Sequence, residues 1–143
     1  MDEDYTQEKV PYIADRILSG LESGPTGATV LALQGDLGAG KTTLTKTIAD
    51  LLGVQETVVS PTFVIAKFYT PTKGLFTQLV HIDAYRIESM DELGPLNFQR
   101  LLEQPNTLII VEWPERIIEA LPSTAQWFSI THREHDRHIN QKK

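Results

Sequence analysis

The sequence predicts an α/β fold around a mixed, mainly parallel central sheet, and three observations lead there. Two runs, Thr29–Gln34 and Thr107–Glu112, are apolar almost without interruption, as strands covered on both faces of a parallel sheet are. The stretch from Lys41 to Leu52 carries helical periodicity, with Leu44, Ile48, Leu51 and Leu52 on one face. Strand-like and helix-like segments then alternate along the chain, which is the pattern of α/β rather than segregated folds.

Each element has a local reason. Residues Thr6 to Leu21 read as a helix: Thr6 can cap it, Pro11 suits an early turn, and Ile13, Ile17, Leu18 and Leu21 share a face. Gly53 suits the end of the Lys41–Leu52 helix. Thr62–Tyr69 and Leu75–Asp83 read as strands, and the link Thr70-Pro71-Thr72-Lys73-Gly74 has turn chemistry, so a hairpin is expected. Ser89–Leu102, broken at Gly94-Pro95, predicts two short helices. Pro114 opens a helix that stops at Pro122, with Ile117, Ile118 and Leu121 facing inward, and Gln126–His132 closes as a strand.

Composition narrows the function classes. The 143 residues suit one domain, 1–143, and size scaling predicts that roughly two-thirds of the extended chain's surface is buried, enough for a real core. The absence of cysteine excludes disulfides, thiolate catalysis and cysteine zinc sites. A formal charge of −6 argues against tight unaided binding to nucleic acid. The start Met1-Asp2-Glu3-Asp4 lacks the basic and apolar regions of a secretory signal, and no apolar run approaches the ~20 residues of a membrane span. A cytoplasmic location without membrane contact is therefore expected. Residues 1–24 carry six acids against two bases and residues 132–143 four bases against two acids; both ends read as solvated.

One segment carries most of the chemistry. Gly35-Asp36-Leu37-Gly38-Ala39-Gly40-Lys41-Thr42 matches G-x-x-x-x-G-K-[ST], between a buried strand and an amphipathic helix. Glycines let backbone wrap an anion without Cβ clashes, and the loop amides with the positive helix end can hold phosphates. Lys41 is expected to reach the β- and γ-phosphates, and Thr42 to offer its hydroxyl to Mg²⁺. The ligands expected from the motif are thus the phosphates of a nucleotide, with Mg²⁺.

Two acids end buried strands, where ligands sit in open α/β sheets. Glu112 closes Leu108–Val111 as a Walker B acid with Glu in place of Asp; it can bind Mg²⁺, polarise a water, or cap the following helix. Asp83 ends the strand Leu79–Asp83, with Leu79 and His81 on the same face; it can act as base or metal-shell group, cap a helix, or pair with Arg86. Ser60-Pro61-Thr62 reads equally as a γ-phosphate sensor or a plain turn. His132, His135 and His138 recur every third residue, which fits an exposed hairpin better than a metal site, and Trp113 reads as core or interface.

The chain resembles the TsaE (YjeE) family of bacterial ATPases. The resemblance rests on four blocks in family order: Gly35-Asp36-Leu37-Gly38-Ala39-Gly40-Lys41-Thr42-Thr43, Ser60-Pro61-Thr62-Phe63, His81-Ile82-Asp83-Ala84-Tyr85-Arg86 and Glu112-Trp113-Pro114-Glu115-Arg116. It implies a P-loop NTPase-like three-layer fold and an ATPase supporting threonylcarbamoyladenosine formation in tRNA. Its partners would be a TsaD-type transferase and a TsaB-type protein, with tRNA reached only through that complex and the chain a monomer when alone. By position, the loop through Thr43, with Lys41, would bind the nucleotide; Thr42 and Glu112 would hold Mg²⁺; and Asp83 would serve hydrolysis. Ser60–Thr62 resembles a nucleotide-responsive switch, and Arg137 matches an arginine near the family's C-terminus. The family's Thr and Gly in the first helix are replaced here by Val10-Pro11-Tyr12.

Other classes remain to be weighed. A small-molecule kinase shares the P-loop but needs an acceptor pocket and usually an Arg-bearing lid, and no Arg-rich insertion is present. A guanine reader usually carries N-K-x-D, and no Asn here precedes Lys. A nucleotide-holding scaffold without turnover would not need Asp83 and Glu112.

Overall fold

The computed structural model describes residues 1–58 and 65–142. Among them one sheet of seven strands runs in the order β1-β7-β6-β2-β5-β4-β3. In chain order these are Asp2–Tyr5 (β1), Thr29–Gln34 (β2), Ala66–Tyr69 (β3), Gln78–Asp83 (β4), Thr107–Glu112 (β5), Gln126–His132 (β6) and Arg137–Lys142 (β7). The four central strands are parallel, and β3, β7 and β1 add antiparallel edges. The sheet is therefore mixed and parallel at its centre, as predicted.

Layers follow from strand alternation. Leu31, Leu33, Leu79, Leu108 and Ile110 face the helices Val10–Ser19 (α1) and Lys41–Leu51 (α2). Val30, Val80, Ile82, Ile109 and Val111 face the other way, onto the 3₁₀ segments Met90–Leu96 and Pro114–Ala120 and the short helix Phe98–Leu102 (α3). All six residues of β5 are buried, which explains why its sequence shows no alternation at all. These three layers form one sandwich with the parallel strands in the middle.

Several details differ from expectation. The first helix is a 3₁₀ turn, Gln7–Lys9, followed by α1, and Thr6 makes no side-chain cap. In α2 the buried face is centred between the Leu44–Ile48 row and the Thr45–Ala49 row, so Leu51 falls at its margin and stays 38% exposed. Gly53, at φ +72°, takes the left-handed position past the helix end. Ser89 and Glu92 form a capping box on Met90–Leu96, and the break between the two short helices falls at left-handed Asn97 rather than at Gly94-Pro95. After Pro114 the chain makes 3₁₀ turns kinked at Ile117, so Ile118 turns outward and is 58% exposed.

The two ends are the main correction. They are not two separate solvated segments: β1 pairs antiparallel with β7, with Asp2 opposite Asn140 and Tyr5 opposite Arg137. Their opposite charges meet, since Arg133 Nη1 lies 2.8 Å from Asp4 Oδ1 and His138 Nε2 lies 2.8 Å from Asp2 Oδ1. The hairpin expected around the three histidines is present as β6–β7. The proposed start of a strand at Thr62, and the whole Ser60-Pro61-Thr62-Phe63 block, lie outside the described residues.

Candidate functional site

β2 ends at Gln34 and the chain turns directly into the glycine-rich loop and α2. Gly35 is required by space: a Cβ there would drive into the Ile130 carbonyl oxygen of neighbouring β6. Gly38 (φ +77°) and Gly40 (φ +112°) are required by conformation, because a side chain in that region is strained. A Cβ on Gly40 would also lie 2.9 Å from Arg137 Nε. The loop therefore curls with its backbone open on one side, facing a cavity of about 560 Å³.

Around that cavity the structure gathers most of the residues that the sequence singled out, while Gly35 and Asp36 stand behind its lining and meet the Lys41 ammonium through their carbonyls. Leu37 through Thr43, Asp83, Glu112, Trp113 and Arg137 all line it. Strand register explains the acids: Leu33, Glu112 and Asp83 stand side by side at the carboxyl ends of β2, β5 and β4. The Thr42 hydroxyl donates to Glu112, at 2.9 Å from Oε1 and 3.2 Å from Oε2. Asp83 Oδ1 accepts the backbone N–H of Tyr85 at 3.0 Å, so this carboxylate braces the turn that leaves β4. The residue at the N-cap of the 3₁₀ segment after β5 is Trp113 rather than Glu112, and it makes no side-chain cap.

Lys41 is buried at the start of α2 and donates to the carbonyls of Gly35 and Asp36, the latter at 2.9 Å. Its ammonium also stands 4.4 Å from the centroid of the Trp113 ring. Burial pushes the Lys41 pKa down, and the nearby carboxylates of Glu112, Glu115, Asp83 and Asp36 pull in the opposite direction. Arg137 reaches from β7 onto the loop: its Nε donates to the Ala39 carbonyl at 3.1 Å and its Nη1 to the Gln7 side chain at 2.9 Å.

Two features escaped the sequence. Trp113, directly after Glu112, is left-handed at φ +57°, an unfavourable region for a bulky side chain, and its ring packs against Tyr85 with centroids 5.0 Å apart. No glycine marks that position, so composition offered no signal. His81 is fully buried, and its Nε2 hydrogen-bonds Glu112 Oε2. Alternation had placed it on the face of Asp83, yet only the pairing of β4 with β5 shows which carboxylate it meets.

A glycine-rich loop leaving a central parallel strand, with acids at the carboxyl ends of the next two strands on one side, β5 and β4, defines a protein of the P-loop NTPase-like α/β class. The family model for "Threonylcarbamoyl adenosine biosynthesis protein TsaE" matches residues 5–141, and the chain belongs to that family. Among curated relatives, the tRNA threonylcarbamoyladenosine biosynthesis protein TsaE of Streptomyces coelicolor is 45% identical over 93 residues, covering 64% of this chain and 61% of the relative. The protein of that name from Mycobacterium tuberculosis is 34% identical over 120 residues, covering 78% and 70%. The crystal structure of Bacillus subtilis YdiB is similar with a TM-score of 0.71 at 29% identity, covering 99% of this chain and 86% of that one. Among the described residues, no helix is long and apolar enough to cross a membrane.

Proposed function

We propose that this chain binds Mg²⁺-ATP and hydrolyses it as the ATPase subunit of the machinery that makes threonylcarbamoyladenosine in tRNA, acting with a TsaD-type transferase and a TsaB-type partner in the cytoplasm. The observation that carries this reading is the Thr42–Glu112 pair, set directly behind a glycine-cornered loop and beside Lys41. The donor set fits the metal. Magnesium takes hard oxygen ligands and keeps much of its octahedron for water and phosphate, so one hydroxyl and one carboxylate from the protein suffice. The cradle fits the phosphates, since side chains at Gly38 and Gly40 would be strained in the backbone that opens it.

In this reading the loop amides and the α2 terminus grip the β- and γ-phosphates. Lys41 exchanges its bonds to the Gly35 and Asp36 carbonyls for phosphate oxygens, a short swing within the same loop. Thr42 and Glu112 hold Mg²⁺, which when bound neutralises charge on the transferring phosphoryl group. Asp83 orients the attacking water in line with the leaving group. Arg137 fixes the far side of the loop. The surplus of negative charge leaves the grip on tRNA to the partners.

The test is a phosphate-release assay on the purified chain, alone and with TsaB-type and TsaD-type proteins and tRNA. Slow release alone and faster release in the full mixture is the expected result. Transfer of phosphate to a small metabolite instead of water would replace this reading with that of a kinase.

A further inference from the structure

His81 has no assigned role, and its surroundings are unusual for a structural residue. It stands on β4 between Leu79 and Asp83, opposite Ile110 of β5, with no exposure to solvent. Both ring nitrogens are thus removed from water, where a leucine would pack without any polar group to satisfy. Nε2 meets Glu112 Oε2, while Nδ1 is buried and has no hydrogen-bond partner among the described residues. Among the described residues, the one hydrogen bond of the ring is therefore with the carboxylate at the mouth of the loop.

That contact fixes how Glu112 presents its oxygens. Oε2 is engaged by His81, and Oε1 is left as the closer partner of Thr42, at 2.9 Å against 3.2 Å. Without the ring the carboxylate could rotate about its terminal torsion, which is broad for glutamate. Outer residues that orient metal-binding side chains in this way typically change metal affinity about 10–100-fold when removed.

We propose that His81 is a positioning residue: in its Nε2–H form it locks the Glu112 carboxylate so that Oε1 faces Thr42 and the cation. This rests on the reading of Thr42 and Glu112 as the Mg²⁺ holders given above, and it adds a residue to that machinery.

The test uses the full chain with His81→Leu, His81→Gln and His81→Asn. Glutamine can deliver an N–H where Nε2 stands, whereas asparagine can deliver one only near Nδ1. Mn²⁺ affinity of the protein–ADP complex is read by electron paramagnetic resonance, beside ADP affinity without metal and the thermal midpoint. We expect His81→Leu and His81→Asn to weaken Mn²⁺ about 10–100-fold, with metal-free ADP affinity within about two-fold, and His81→Gln to recover most of the loss. Equal Mn²⁺ affinity in all variants, or a loss that glutamine does not recover, overturns the proposal; if the leucine variant fails to fold, the glutamine–asparagine contrast decides. Nitrogen-15 spectra of the nucleotide-free native protein supply the second readout, with Nε2–H expected and an Nδ1-protonated ring overturning the assignment. Failure of the native chain itself to hold Mn²⁺ with ADP would instead remove the parent reading of the site, and this inference with it, while the spectra still report the His81–Glu112 bond.

Discussion

Two histidine–carboxylate pairs in this molecule use the same chemistry in opposite settings. His81 and Glu112 are buried at the centre of the sheet, with side-chain exposures of 0% and 4%. His138 on β7 meets Asp2 through Nε2 and Asp4 through Nδ1, at 2.8 and 2.7 Å, and those aspartates are 69% and 50% exposed. At the edge, water competes for every group, and such pairs contribute about 1 kcal/mol or less. At the centre His81 has no access to water, and removing its carboxylate partner strands a buried polar group. The edge pair guides how two strands of opposite charge come together; the central pair sets the geometry of a site.

The largest effect on that comparison comes from the loop itself. Lys41→Ala is expected to weaken ATP binding by about 100-fold or more, since two charge-assisted hydrogen bonds are lost. Because burial already disfavours the charged form of Lys41, the thermal midpoint should not fall with the affinity; calorimetry beside a binding titration separates the two. Glu112→Ala should lower turnover by at least ~100-fold. It should also cost about 1–3 kcal/mol of stability by leaving His81 alone in the core, which a denaturant titration measures. Gly40→Ala forces a side chain into positive φ and against Arg137, and should cost about 1–3 kcal/mol together with a loss of nucleotide affinity. The smallest effect belongs to the edge: His138→Ala or Arg133→Ala should change stability by about 1 kcal/mol or less and leave turnover intact. A larger effect at His138 than at Glu112 would reverse the contrast between the two pairs.

What could be read beforehand divides along the same line. β2, the loop and α2 follow one another in the chain, so spacing alone marked Gly35 through Thr42, and the unbroken apolar run placed Glu112 at a strand end. Those are local signals. β1 has no hydrophobic alternation in Asp2-Glu3-Asp4-Tyr5, and it is a strand because β7 offers it an edge. The partner of His81 lies 31 residues away, and the outward turn of Ile118 follows from a kink at Ile117 that no proline or glycine announces. In each of these cases tertiary pairing, not the residue's neighbours, decided the outcome.

Arg137 gives the loop a mechanical tie to the rim of the sheet. One guanidinium bridges the Ala39 carbonyl, inside the curl, and Gln7, in the turn that follows β1. Ala39 is itself part of the buried core, so the brace runs from the core side of the curl to the edge of the sheet. The cradle and the flank of the protein are in this way joined through a single side chain.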